Sequence, residues 1–152
     1  MMAWYLSCIL CFLMQAGRVH SFPEGILTPA EKNTIESESN VERRMKTYQT
    51  ASERIQRTLQ SAISNEDFQT VSDNLLLWTS LLAESLKDIE SNLKSKKKPR
   101  ALINYEIHIR KAIGALQDGK IRIPADQQDA FDACIARAAE IREKFVEILF
   151  TH

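Results

Sequence analysis

The chain has 152 residues, the length of one ordinary domain, and is long enough to bury a hydrophobic core. It contains only four glycines and four prolines, and charged residues make up 26% of it. This composition is typical of helical globular proteins and excludes a disordered chain. The 20 basic and 20 acidic residues give a formal net charge of zero at pH 7. The molecule as a whole therefore has no net positive charge that would attract nucleic acid or an anionic membrane. Binding to a polyanion would therefore require a local basic patch.

An uncharged apolar segment stands near the N-terminus, at residues 3–16 (AWYLSCILCFLMQA). It is shorter than the roughly 20 residues that span a bilayer as a helix, and it matches the apolar region of a secretory signal, although no Lys or Arg precedes it. Small residues follow, so we predict that residues 1–21 are an export signal cleaved near Ala16 or Ser21. The protein would then be extracytoplasmic, either periplasmic or secreted. The alternatives are an N-terminal membrane anchor and a buried first helix.

The first predicted helix follows a short extended lead-in at residues 22–28. The sequence Thr28-Pro29-Ala30-Glu31 offers a capping Thr, a Pro at the first helical position and a Glu suited to a capping box. We predict one long helix over residues 29–63, whose first turns project or fray because Ile35 is their only core residue. From Val41 onward the core positions alternate in steps of four and three, as in a bundle or coiled coil. They are Val41, Met45, Tyr48, Ser52, Ile55, Leu59 and Ala62.

Two further helices are predicted from the same spacing. The helix over residues 66–95 follows Asn65, a capping residue, and begins with acidic side chains at the positive end of the helix dipole. Its run LLLWTSLL widens the apolar face, so we expect it to be the most buried helix. The last helix, over residues 125–150, follows Pro124 and carries an apolar stripe that includes Phe131, Cys134 and Phe145.

The segment between these two helices fits two structures. As a helix over residues 100–117 it places Leu102, Tyr105 and Ile109 on one stripe, whereas INYEIHIR alternates as a strand and DGKIRIP could supply a turn and a second strand. We favour the helix because RKAIGALQ continues it and a lone hairpin is barely stable. We therefore predict a single all-α domain over residues 29–152, an antiparallel four-helix bundle with a long first helix. The alternative is a helical protein with a small β-hairpin near residues 103–123.

Metal and cofactor sites lack the residues that they need. The chain has three histidines, and the sequence Glu106-Ile107-His108 is not the Glu-x-x-His of a di-iron site, because two helical steps turn the side chains about 200° apart. Covalent haem attachment needs C-x-x-C-H, which is absent, and Cys8 and Cys11 stand inside the apolar segment. We predict no cofactor and no dedicated metal or haem site.

A catalytic pair of His108 and Cys134 is the only nucleophile arrangement that the sequence suggests. Cys134 falls on the apolar stripe of its helix, where a thiol packs and is inert, and His108 flanks the stripe of its own helix. Glu106 flanks the other side of that stripe and could pair with a Lys or Arg. No glycine-rich phosphate loop and no nucleophile elbow is present, so we predict that the protein is not an enzyme.

The stretch KSKKKPR is the one dense basic patch of the chain. Its lysines suit the C-terminal end of a helix, where cations complement the dipole, and no aromatic residue lies between Trp78 and Tyr105 to stack on bases. An export signal also argues against nucleic acid as a partner. We interpret the stretch as a solvated helix end; its alternative role is contact with an anionic surface, such as lipid head groups. The residues that would make this contact are Lys94, Lys96, Lys97, Lys98 and Arg100.

Two isoleucines of the third helix, Ile103 and Ile107, lie opposite its core stripe. They are either buried between neighbouring elements or form a face for a partner. We predict an exported, non-enzymatic protein-interaction or structural module that binds a protein partner or self-associates, for which the long first helix is one candidate surface. The alternative function is a binder of anionic surfaces, lipid head groups or nucleic acid, through Lys94–Arg100.

Overall fold

The computed structural model describes residues 25–93 and 98–151, and five α-helices lie in these ranges. They are α1 (Pro29–Ser37), α2 (Val41–Ser64), α3 (Phe68–Asn92), α4 (Arg100–Lys120) and α5 (Gln128–Phe150), with a short 3-10 turn at Ala125–Gln127 before α5. Across these ranges there is no β-strand, so the all-α prediction is confirmed. The predicted export signal lies outside the described residues, and so do Lys94, Lys96 and Lys97.

The predicted alternative of a β-hairpin near residues 103–123 is wrong, because residues 100–120 form the single helix α4. Helical spacing brings Leu102, Tyr105 and Ile109 into the core together with Ala112 and Leu116, all at most 6% exposed. A strand over INYEIHIR would have needed a partner strand for its backbone groups, whereas the helix satisfies them internally. The alternation of apolar and polar residues is therefore incidental to a helix that is apolar on two sides.

The prediction of one long helix over residues 29–63 is also wrong, because the chain leaves the helical conformation at residues 38–40. The side chain of Asn40 accepts hydrogen bonds from the backbone N–H of Glu42 and of Arg43, at 2.8 and 3.3 Å. The Glu38 carboxylate accepts one from the N–H of Asn40 at 2.9 Å. These polar side chains cap a new helix start, and capping competes with continuation of α1.

Helix α1 packs on α2 instead of projecting from the domain. The Arg54 guanidinium donates two hydrogen bonds to the Glu31 carboxylate, at 2.8 and 3.1 Å, and one to the carbonyl of Ile26 at 3.0 Å. The predicted capping box is confirmed, since Thr28 and Glu31 each bond the backbone N–H of the other. Burial raises the pKa of Glu31, but the bonds from Arg54 and Thr28 outweigh burial and hold that pKa below its ordinary value. Ile35, at 6% exposure, completes the contact.

The remaining four helices pack around one core. Helix α2 packs against α3 and α4, and α5 also packs against α3 and α4. The pairs α2/α3 and α4/α5 are antiparallel: Arg44 pairs with Asp88 and Ser52 with Trp78 in the first, and Tyr105 meets Phe145 and Lys120 meets Asp132 in the second. The largest fully buried side chains are Trp78, Tyr48, Tyr105, Phe131, Phe145 and Met45.

Candidate functional site

Two hydrogen bonds, one buried and one partly buried, join three helices at the Ser52 hydroxyl. The indole N–H of Trp78 on α3 donates to Ser52 Oγ on α2 at 2.7 Å, and the same oxygen lies 2.8 Å from Nε2 of His108 on α4. Ser52 and Trp78 have no exposed surface. Because the oxygen accepts the indole proton, its own proton is available to His108 Nε2, which suits a neutral imidazole.

The sequence indicates the link between Ser52 and Trp78 through polar groups at positions that the apolar spacing assigns to the core. Ser52 occupies a core position of α2, and Trp78 occupies one of α3; a hydroxyl and an indole N–H in such positions need hydrogen-bond partners. His108, on the flank of the α4 stripe, is such a partner for Ser52. Burial lowers the pKa of His108, with a raising influence from Glu53 and a further lowering one from Lys111.

The distance from Ser52 to His108 is that of a nucleophile and its base, but the surroundings favour a structural link. A nucleophilic hydroxyl must reach a substrate carbonyl, and the Ser52 oxygen is enclosed by the core and already bonded to Trp78. The proposed catalytic pair of His108 and Cys134 is not brought into hydrogen-bond contact. The Cys134 thiol points to the carbonyl of Leu75 at 3.7 Å, and burial raises its pKa to about 12.

The Glu106 prediction is confirmed by an ion pair. Its carboxylate accepts a hydrogen bond from Nε of Arg142 on α5 at 2.6 Å, and Glu106 is 8% exposed. On the core side, the Tyr105 hydroxyl lies 3.1 Å from the Ser85 hydroxyl of α3. Both flanks of α4 are therefore engaged with neighbouring helices, His108 with α2 and Glu106 with α5.

A shallow depression lies where α2 turns into α3, with a volume of about 390 Å³. It is lined by polar side chains, including Arg57, Asn65 and Asp67, and Asp67 is occupied in capping α3. The hydroxyl and the backbone N–H of Thr70 lower the pKa of Asp67. Among residues 25–93 and 98–151, no three His, Cys, Asp or Glu side chains lie together as metal ligands would.

The described part of the basic stretch is Lys98, Pro99 and Arg100. Lys98 is partly buried and Arg100 is exposed at the first position of α4. Pro99 is the N-terminal capping residue of α4 and gives no side-chain hydrogen bond. The positive side chain of Arg100 thus stands at the positive end of a helix dipole, where it gains nothing from the helix.

The side of α4 that faces away from the core is exposed and partly apolar. We call it the outer face of α4; its residues are Ile103, Ile107, Arg110, Gly114, Asp118 and Ile121, the last being the C-terminal capping residue, which keeps a helical backbone. At about 100° per residue they all lie within about 40° of the direction opposite Tyr105. Ile103 is 44% exposed and Ile121 84%, while Ile107 is partly covered. The sequence had indicated Ile103 and Ile107 as a partner face; steps of seven from Ile107 to Gly114 and Ile121 would have extended it.

Comparison of the chain with known proteins gives no match. No known family, no curated protein and no solved structure matches the chain. Within the part of the chain that the structure describes, none of the helices has the length and apolar character needed to cross a membrane.

Proposed function

We propose that this chain is an exported, non-enzymatic protein-interaction module that contacts its partner through the outer face of α4. The observation that carries the proposal is the line of three isoleucines, Ile103, Ile107 and Ile121, on the side of α4 turned away from the core. Apolar side chains spaced along one exposed side of a helix are the pattern by which helices pack against partners. Leu76 on α3, at 64% exposure, has no such line and serves as a reference position.

We also propose that α2 to α5 form an antiparallel four-helix bundle, which explains why this face is free. The two antiparallel pairs, α2/α3 and α4/α5, would lie side by side through contacts of α2 with α4 and of α3 with α5. Helix α1 would lie outside the bundle on α2. In this arrangement, among residues 25–93 and 98–151, α4 has α2 and α5 as neighbours, so its remaining side can receive a partner.

A non-enzymatic role is supported by what the polar residues of the core do. Ser52, Trp78 and His108 bond to one another, and the Cys134 thiol is buried against α3. Groups committed to holding helices together are poorly placed to bind and release a substrate. The side chains that remain available lie on the surface.

Photo-cross-linking tests the proposed function. A benzophenone amino acid would replace Ile107, or Leu76 as the matched control, and the cells that naturally produce the chain would be irradiated. We expect defined cross-linked products with protein from position 107 and none of them from position 76. Identical products from the two positions, or no product from position 107, would contradict the proposal.

A second candidate function is binding to anionic lipid surfaces through Lys94–Arg100. It is favoured by one observation: Arg100 is exposed at the end of α4 and adds nothing to that helix's stability through the dipole. Replacing Lys96, Lys97 and Lys98 by Gln should abolish salt-sensitive binding to vesicles that contain phosphatidylserine. The matched control replaces Lys32, Lys46 and Lys87, which are exposed elsewhere. An equal loss of vesicle binding in both triple variants would contradict this candidate function.

A further inference from the structure

The outer face of α4 contains a glycine that contacts among the described residues do not explain. Gly114 lies in the interior of α4, where glycine destabilises a helix relative to alanine. A Cβ atom built at Gly114 would meet no atom of the described residues within 4 Å, so no neighbour in residues 25–93 or 98–151 requires its absence. The space above Gly114 is open, and a glycine there allows another helix to approach the backbone closely.

The residues around Gly114 are arranged in complementary pairs. Arg110 and Asp118 stand four positions before and after it, and Ile107 and Ile121 stand seven positions before and after it. Four positions correspond to about 6 Å along the helix and seven to about 10.5 Å, with equal and opposite rotations of about 40° and 20°. An antiparallel helix that crosses at Gly114 therefore brings each position to the level of the one at the opposite step.

We propose that the partner of the outer face of α4 is a second copy of this chain, with the two α4 helices antiparallel and crossing at Gly114. This inference rests on the proposed function and names its partner. Arg110 of one copy then lies opposite Asp118 of the other, and Ile107 opposite Ile121. Each contact occurs twice because the interface is isologous.

Charge favours this occupant and this direction. Arg110 and Asp118 are both exposed, and neither forms an ion pair with any residue in 25–93 or 98–151. The antiparallel crossing gives each a partner of opposite sign. A parallel pairing of the same faces would instead place Arg110 beside Arg110, and like charges across an interface oppose binding.

A charge-exchange experiment tests the inference by sedimentation equilibrium. The variants Arg110→Asp and Asp118→Arg each place like charges opposite one another in two symmetric positions, so we expect each to raise the dimer dissociation constant by at least about tenfold. An equimolar mixture restores opposite charges at both positions of a heterodimer, and we expect it to associate as tightly as the unaltered chain. Circular dichroism would establish that the single variants keep their helices.

Two results would contradict the inference that the partner is a second copy of this chain. One is an unaltered chain that stays monomeric up to about 1 mM, a concentration at which even a weak dimer forms. The other is a mixture that associates no better than the single variants. A monomeric chain that still cross-links from position 107 to a different protein would overturn this inference and support the proposed function. Absence of both association and cross-linking would overturn the two together.

Discussion

At the scale of single residues, the Ser52 hydroxyl links α2, α3 and α4. It accepts a hydrogen bond from the Trp78 indole N–H and contacts His108, so its removal would leave the buried indole and the half-buried imidazole without this partner. A buried donor without an acceptor costs more than an ordinary hydrogen bond contributes. The position of Ser52 in an apolar stripe thus reflects polar pairing across helices.

Replacing Ser52 by Ala should lower the free energy of unfolding by about 1–3 kcal/mol, since the Trp78 N–H loses its acceptor. Urea denaturation measures the change. The control is Ser61→Ala, the same replacement at an exposed position of α2, which should leave stability within about 0.5 kcal/mol of the original. Similar losses at both positions would show that the bonds of Ser52 are not the cause.

His108 should make stability sensitive to mild acid. Burial holds its pKa in the folded protein below the ordinary value of 6.5, so on acidification the unfolded chain binds the proton first. The contribution of neutral His108 to the free energy of unfolding is therefore complete above pH 6.5. It is lost as the pH falls from 6.5 to the pKa of His108 in the folded protein, and the free energy does not change further on this account at lower pH.

The variant His108→Gln isolates this contribution. We expect the difference in unfolding free energy between the original chain and the variant to shrink as the pH falls from about 7 to about 5. Glu53 and Lys111 are the charged groups that act on His108, and both remain in the variant. A difference that stays constant over this range would contradict the assigned role.

At the scale of elements, the spacing of apolar residues predicts most of the helices because each buries one stripe. The break after α1 was missed because no Gly or Pro marks it; the signal is the capping capacity of Asn40. Helix α4 was ambiguous because INYEIHIR satisfies both periods. That ambiguity is decided by tertiary packing: α2 and α5 offer a core to one stripe and partners to His108 and Glu106.

Helix α1 should detach when Arg54 is removed. Arg54→Ala deletes two bonds to Glu31 and one to the Ile26 carbonyl, so we expect amide hydrogen exchange over residues 29–37 to accelerate at least about tenfold. Exchange in the interior of α3 and α5 should stay unchanged. Arg57→Ala, an exposed position on the same helix, is the control and should leave α1 protected. Equal acceleration in both variants would argue against this anchor.

Gly114→Ala should have opposite effects on folding and on association. Alanine meets no atom in the part of the chain that the structure describes, so it should raise the unfolding free energy of the monomer by about 0.5–1 kcal/mol. It also adds a methyl group where two α4 helices are proposed to cross. Thermal unfolding of dilute protein and sedimentation at higher concentration measure the two effects. Gly119→Ala, about 140° around α4 from Gly114, should leave association unchanged. Unweakened association in Gly114→Ala would contradict the crossing point.

At the scale of the whole molecule, more of the core than of the functional surface can be predicted from the sequence. Burial of Trp78, Phe131 and Phe145 follows from spacing, because the hydrophobic effect acts on every such stripe. The outer face of α4 could be predicted only in part, through Ile103 and Ile107. Steps of seven from Ile107 reach Gly114 and Ile121, but whether these positions form one exposed face depends on the helix register and on which side the other helices leave open.

Processing of the N-terminus is a prediction at this scale. If residues 1–21 are an export signal, the protein recovered outside the cytoplasm should have lost its first 16 or 21 residues, because signal peptidase cuts after small residues. Intact-mass spectrometry of separate cell fractions measures this loss. A full-length chain in the membrane fraction would instead indicate an anchor, and a full-length cytosolic chain would contradict export.

The most direct measurement of the central claim is the chemical shifts of the backbone amides over a range of protein concentrations. We predict shifts that depend on concentration along the outer face of α4, centred on Gly114, with Arg110, Asp118 and Ile121 among them. The amide of Leu76 should not move. Shifts that do not change with concentration, or that change on α1 or α3 and not on α4, would contradict self-association through this face.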